Sequence, residues 1–363
     1  MSEPVGPLLE VSNLSVTFRT DAGPVRAVTE LSMVVHAGET LAIVGESGSG
    51  KSVTALAIMR LHPKSATITG SIKFEDSELL TLSDREMRHV RGNGIAMIFQ
   101  DPMTALNPVF TIGDQIVEMI RAHRQTPKAM AWKQAAELLE LVGVPEPARR
   151  AKQYPHEFSG GMRQRAMIAM AIANSPRLII ADEPTTALDV TIQAQVMEVI
   201  AAAQRETGAA VILITHDLGL VAGAGDRVQV MYGSRLFETG GLDDVFYRSA
   251  NPYTKALLSS IPTLGSRAAD RLTPIPGNPP SLLRPLPGCP FEPRCSWAID
   301  ICGEAMPDLR VLADGHSSRC HRADEVSASG VDPHSATTAS LPIAAGMPAH
   351  AVSPVSTVPE VLG

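Results

Sequence analysis

The chain has 363 residues, 19% of them charged and 4% aromatic, and a formal net charge of −7. That balance excludes a basic nucleic-acid binder, and so few aromatics exclude a stacking platform for single strands. No apolar run approaches the roughly 18 residues of a membrane helix, and Met1 to Pro7 carry neither a basic nor an apolar leader region. The expectation is a soluble, intracellular protein with one large α/β domain and a smaller appendix.

Residues 8–18 alternate partly and read as a strand, with a turn at Asp21-Ala22-Gly23-Pro24 and a second strand region from Val25 to Val35. Thr40 to Val44 is continuously apolar apart from its first residue, the pattern of a buried parallel strand. Gly45-Glu46-Ser47-Gly48-Ser49-Gly50-Lys51-Ser52 follows and fits the phosphate-binding pattern G-x-x-x-x-G-K-[ST]. A helix is expected over Val53 to Leu61, completing the strand–loop–helix context that the motif requires. Gly45, Gly48 and Gly50 let backbone N–H groups point inward, Lys51 reaches the β- and γ-phosphates, and Ser52 ligates Mg²⁺.

Gly70 to Phe74 reads as a short strand, and Ser83 with Glu86 three residues on has capping-box spacing for a helix. Ile95 to Gln100 is a strand ending in a glutamine, which alone could be an ordinary strand-end polar residue. Asp101 to Pro108 is turn-rich, and Ile112 to about Val142 is helical with a break at Thr126-Pro127. Ser159-Gly160-Gly161 opens a helix expected over Ala166 to Ala173. That turn offers a hydroxyl and free N–H groups to an anion, or simply caps the helix.

Arg177 to Thr185 is an apolar strand ending in Asp182 and Glu183. Beside a phosphate loop, such an Asp suits the Mg²⁺ side and the Glu is placed to orient or deprotonate a water. Asp189 and a helix to Gln204 follow, then a strand from Ala210 that ends at His216-Asp217. Gln100, Asp182 and His216 would thus share the carboxyl edge of one open sheet, where such sheets bind ligands. Strands at 227–232 and 234–239 and helical stretches at 242–248 and 253–261 complete the pass.

In this order, the phosphate loop 45–52, Gln100, Ser159-Gly160-Gly161, Asp182-Glu183, Asp189 and His216 resemble the ATP-binding subunit of an ABC transporter over about residues 8–325. The family's usual Leu-Ser-Gly-Gly-Gln is here Phe158-Ser159-Gly160-Gly161-Met162. Asn251 to Leu258, Pro274 to Gly277 and Gly288 to Cys295 further resemble the C-terminal region of oligopeptide/dipeptide ABC ATPases, a branch that handles nickel in some members. The resemblance implies an ATPase core at 8–258 with a helical subdomain at about 101–176, and a Pro/Cys-rich domain at 259–325. Ser, Ala, Pro, Thr and Gly dominate 326–363, which reads as a disordered tail.

The same resemblance implies ATP and Mg²⁺ as cofactors and peptide import as the activity. Phe18 stacks on adenine, unless it is a plain core residue. Gly45, Ser47, Gly48, Ser49, Gly50, Lys51, Ser52 and Val53 surround the phosphates. Mg²⁺ is held by Ser52 and Gln100 with Asp182 behind it, Glu183 positions the attacking water, and His216 contacts the γ-phosphate. Ser159, Gly160, Gly161 and Asp189 meet the nucleotide of a second ATPase subunit, implied to be a paralogue. Two permease subunits, an external substrate-binding protein and a place on the cytoplasmic face of the membrane are also implied, with no nucleic-acid partner. The alternatives are a nickel importer subunit, a soluble ABC ATPase acting on DNA or ribosomes, and an exporter subunit. The acidic charge and the single cassette weigh against the soluble ATPase, and the importer-like C-terminal region against the exporter.

Cys289, Cys295, Cys302 and Cys320 are spaced C-x5-C-x6-C-x17-C within a loop-rich segment too small for a generous core. Two disulfides do not suit a reducing compartment, and four thiolates suit zinc or an iron–sulfur cluster. The spacing is not that of a zinc ribbon, and the resemblance to peptide transporter subunits favours a [4Fe-4S] cluster. Cysteines without a metal are the remaining alternative.

Overall fold

The computed structural model describes residues 6–186, 189–260, 275–283, 287–313 and 315–329. Ala187 and Leu188, beside Asp189, and the tail from residue 330 lie outside them.

Among the described residues, two sheets carry the fold. Strands β1 (Leu9–Thr20), β2 (Gly23–Val35), β4 (Ala66–Phe74) and β5 (Ser77–Glu78) form an antiparallel sheet in the order β2-β1-β4-β5. The second sheet contains β3 (Thr40–Val44), β6 (Ile95–Ile98), β7 (Leu178–Asp182), β8 (Ala210–Thr215), β9 (Arg227–Tyr232), β10 (Arg235–Gly241), β11 (Arg310–Ala313) and β12 (His316–Ser318), ordered β11-β12-β10-β9-β3-β8-β7-β6. From β9 to β6 it is parallel; β10, β12 and β11 add antiparallel. Every residue of β3, β6, β7 and β8 is buried. Both faces of a parallel sheet are covered, which is why these strands read as apolar runs rather than alternations.

The helices are α1 (Lys51–Ile58), α2 (Asp84–Val90), α3 (Pro102–Ala105), α4 (Ile112–His123), α5 (Lys128–Leu141), α6 (Pro147–Arg150), α7 (Gly160–Ile172), α8 (Val190–Thr207), α9 (Leu218–Val221), α10 (Leu242–Tyr247), α11 (Pro252–Ser259), α12 (Asp300–Glu304) and α13 (Ala323–Ala328). The α4, α5 and α7 faces pack with Ile98, Ile179 and Leu213 into one apolar core, while β1, β2 and β3 close a second core around Leu14, Leu31 and Ile43. A third joins Val230, Phe237, Tyr253 and Phe291, so the Cys-bearing segment shares a core with the eight-stranded sheet.

Several elements differ from expectation. α1 ends at Ile58, three residues early, because Arg60 takes a left-handed φ of 50°. α7 starts at Gly160, six residues early: Ser159 caps it, so two glycines in its first turn are tolerated. The turn-rich 101–108 contains α3, capped by Asp101 with Pro102 in its first turn. The capping box at Ser83 and Glu86 is present, and the helical stretch after Ile112 breaks before Lys128. Val326 to Ala328 complete α13. β12 pairs with β10, which extends the larger sheet into the C-terminal segment.

Candidate nucleotide site

The phosphate loop leaves β3 and enters α1 at Lys51, as the strand–loop–helix reading requires. Two glycines there are sterically compelled. A Cβ on Gly45, at φ 150°, would sit 2.1 Å from the Met231 carbonyl oxygen; one on Gly50, at φ 105°, would sit 2.4 Å from that of Ala27. The loop is therefore pressed onto β9 and β2 by backbone contact that no side chain would permit.

Lys51 is 3% exposed, and its Nζ donates to the Gly45 and Glu46 carbonyl oxygens at 2.7 and 3.0 Å. Burial pulls its pKa down, and the charges of Glu183, Asp182 and Glu46 push back. Ser52 Oγ donates to Asp182 Oδ1 at 2.8 Å. Burial raises the Asp182 carboxyl, against the lowering effect of that hydrogen bond. A buried, partly compensated carboxylate beside a hydroxyl is a fitting donor set for Mg²⁺.

Glu183 lies one residue beyond β7, at a left-handed φ of 45°. Its N–H donates to the Ile214 carbonyl at 2.9 Å, tying the turn to β8. Its Oε2 accepts from Thr186 Oγ1 at 2.8 Å and from Gln100 Nε2 at 3.3 Å, and lies 3.4 Å from His216 Nδ1. Gln100 and His216, two of the three polar residues expected at the strand ends, thus meet on one carboxylate, while Asp182 pairs with Ser52. Thr186 was not anticipated; a Thr three residues after a strand-end Glu is its only trace in the sequence. Gln164 Nε2 donates to the Pro184 carbonyl at 2.7 Å, joining α7 to the same turn.

These groups face a cleft of about 890 Å³, within the range of small-molecule sites. It is lined by Gly45, Ser47, Gly48, Gly50, Lys51, Ser52 and Val53, by Gln100, Glu183 and His216, and by Phe18, Val25 and Ala27 on its apolar side. Phe18 is half-buried, its ring edge-on to His62 at 6.0 Å between centroids. Ser49, 3% exposed, sits behind the loop rather than in the cleft.

The other expected contacts lie elsewhere. Ser159 is exposed and accepts the Met162 N–H, Gly160 is exposed, and Gly161 is partly so. Asp189 is exposed and caps α8 through the Ile192 N–H at 3.0 Å. None of them lines the cleft of their own chain.

The four thiols are free and line one small pocket with Phe291, Trp297 and Arg322. Burial pushes Cys289 up to about 12 and Cys320 up to about 11, with mutual repulsion of the thiols adding to it. Among the described residues no group of three or more His, Cys, Asp or Glu side chains is spaced to hold a metal ion. The expected metal-binding, iron–sulfur character of this segment therefore has no assembled site behind it.

Among the described residues, no helix is long and apolar enough to cross a membrane. Residues 28–186 match the family described as ABC transporter, and 237–302 match the oligopeptide/dipeptide transporter C-terminal region. The dipeptide transport ATP-binding protein DppD of Bacillus subtilis is 52% identical over 320 residues, 88% of this chain and 95% of that one. The oligopeptide transport ATP-binding protein OppD of Salmonella typhimurium is 51% identical, over 89% and 96% of the two chains. OppD of Mycobacterium tuberculosis is 50% identical over 94% of this chain, which spans only 56% of that longer protein. Among solved structures, the dimeric, post-hydrolysis ATP-binding cassette MJ0796 bound to ADP and Pi superposes with a TM-score of 0.59 at 27% identity, covering 64% of this chain and 98% of that one. The chain belongs to the ABC transporter ATPases, in their oligopeptide/dipeptide transport ATP-binding branch.

Proposed function

We propose that this chain is the ATP-hydrolysing subunit of a peptide importer. The observation that carries the hydrolytic part is the convergence of Ser52, Gln100, Glu183 and His216 around the phosphate loop in one cleft. The names of the relatives support di- or oligopeptides as cargo.

In this reading Lys51 and the loop N–H groups hold the β- and γ-phosphates. Ser52 and Gln100, with Asp182 behind them, would hold Mg²⁺, which supplies charge neutralisation. Glu183 orients the attacking water and takes its proton, and His216 contacts the γ-phosphate. The Ser159-Gly160-Gly161 turn and Asp189, exposed on their own chain, meet the nucleotide of a second, paralogous ATPase subunit. ATP then binds the closed pair more tightly than the open one, and that difference drives closure. Met103, Val109 and Phe110 are 56%, 71% and 49% exposed just after Gln100. Such an apolar patch supports docking of a permease there. The complex would hold two permeases and an external binding protein, with this subunit on the cytoplasmic face of the membrane.

The cluster expectation rests on four thiols sharing a pocket: Cys289, Cys295, Cys302 and Cys320 would hold it, and hydrolysis takes no step through it. Iron analysis and visible absorbance of anaerobically purified protein test it; zinc, or no metal, sinks it.

Glu183→Gln tests the main reading. The variant is expected to bind Mg-ATP while turnover in the assembled complex falls by about 10²–10⁴-fold, the usual worth of a general base. Undiminished hydrolysis overturns the assignment of Glu183. Copurification with ribosomes or DNA instead of permeases overturns the importer.

A further inference from the structure

Arg294 lies 248 residues from Glu46, yet its Nη1 and Nη2 grip both Glu46 carboxylate oxygens at 2.7 and 2.9 Å. The Arg294 side chain is 5% exposed. Nη1 also donates to Tyr232 Oη at 2.9 Å and Nε to the Pro276 carbonyl at 2.7 Å, so the guanidinium is held from several sides. Its carbon stands 5.7 Å from the Tyr232 ring centre and 5.9 Å from that of Phe291. Glu46 is the second residue of the phosphate loop, and its carbonyl accepts from Lys51 Nζ. The line Arg294–Glu46–Lys51 therefore runs from the C-terminal segment to the phosphate-binding ammonium. The same segment supplies a wall: Ile275 and Leu282, with Leu257 and Ser260, line the nucleotide cleft.

We propose that the C-terminal segment is part of the nucleotide site, with Arg294 the residue that positions the phosphate loop through Glu46. This rests on the cleft being the ATP site. A fork-to-fork pair fixes geometry as well as charge. A desolvated pair is by contrast a poor source of net stability, because desolvation offsets the attraction. The pair's effect should thus appear in nucleotide affinity more than in thermal stability. Leu257, Ile275 and Leu282 add apolar surface to the cleft that Phe18 also lines, so the segment also shapes the pocket.

The test uses the full-length chain and Mg-ATP binding by titration calorimetry, with thermal midpoints of the nucleotide-free proteins in parallel. Arg294→Met and Glu46→Gln are each expected to raise Kd about tenfold, the scale of one charged hydrogen-bond pair. The double variant should be no weaker than the worse single one. Arg294→Lys, which keeps charge but not the fork, should fall between wild type and Arg294→Met. Wild-type affinity in both single variants, additive losses in the double, or a lowered midpoint without a change in Kd each overturn the proposal. If Arg294→Met does not fold, Glu46→Gln, of equal size and still an acceptor, decides alone. A wild-type chain that does not bind Mg-ATP refutes the underlying site instead.

Discussion

Removing one oxygen atom, in Tyr253→Phe, isolates what the C-terminal helices contribute to the phosphate loop. Tyr253 is the second residue of α11 and its side chain is fully buried. Its hydroxyl accepts the Glu46 N–H at 2.9 Å. The ring packs against Tyr232 at 4.4 Å and Phe291 at 5.3 Å between centroids, and phenylalanine keeps those contacts. What the variant loses is the acceptor, leaving a loop N–H unpaired at a cost of about 1–3 kcal/mol. For a domain of this size each kcal/mol lowers Tm by about 2–4 °C. Scanning calorimetry of the nucleotide-free protein should therefore show a fall of several degrees, with Mg-ATP affinity lowered as well because the freed N–H belongs to the loop. A Tm and Kd both equal to wild type would refute the claim that this hydroxyl holds the loop.

Two further outcomes follow from other parts of the site. Gly45→Ala puts a Cβ 2.1 Å from the Met231 carbonyl at a φ of 150°, so urea unfolding should show a loss of at least about 1–3 kcal/mol and nucleotide binding should fail; a stable, binding-competent variant contradicts the close approach. In reduced, metal-free protein, Cys289 and Cys320 are held up to about 12 and 11 by burial, against 9.0 for an ordinary thiol. Because the folded pKa is raised, the stability these thiols contribute is complete below pH 9 and disappears as pH rises through about 11–12. Their alkylation rate in the native protein should keep climbing above pH 9, and a plateau there would show ordinary thiols.

The phosphate loop was legible because its chemistry is local: glycines, lysine and serine act within eight adjacent residues. Gln100, Asp182, Glu183 and His216 were legible for a second reason, since apolar runs ending in a polar residue mark the carboxyl ends of buried strands. The antiparallel additions left no such mark. β11 and β12 are short, and β12 is placed by its pairing with Glu238 and Thr239 of β10, far away in sequence. The grip of Arg294 on Glu46 spans 248 residues and has no periodicity to announce it. α7 begins six residues before the expected Ala166, because both glycines stand in a first turn capped by Ser159.

The geometry of Glu183 also indicates where motion in this site must lie. A left-handed backbone at a non-glycine residue costs about 1–3 kcal/mol and persists only where its surroundings over-determine it. Here they do. The N–H of Glu183 is fixed to β8, its carboxylate to Thr186, the next carbonyl to Gln164 of α7, and the Thr185 carbonyl to Gln193 of α8 at 3.3 Å. Helices from two sides and a strand thus brace the turn before any nucleotide arrives. Gln100 differs: it is exposed, two residues past β6, and held among the described residues by one side-chain hydrogen bond of 3.3 Å. Exchanging one such exposed hydrogen bond for another costs little. Gln100 is followed by α3 and the exposed Met103, Val109 and Phe110, so in the proposed function a shift at Gln100 would be carried to that apolar surface, while the Glu183 carboxylate stays where the fold has set it.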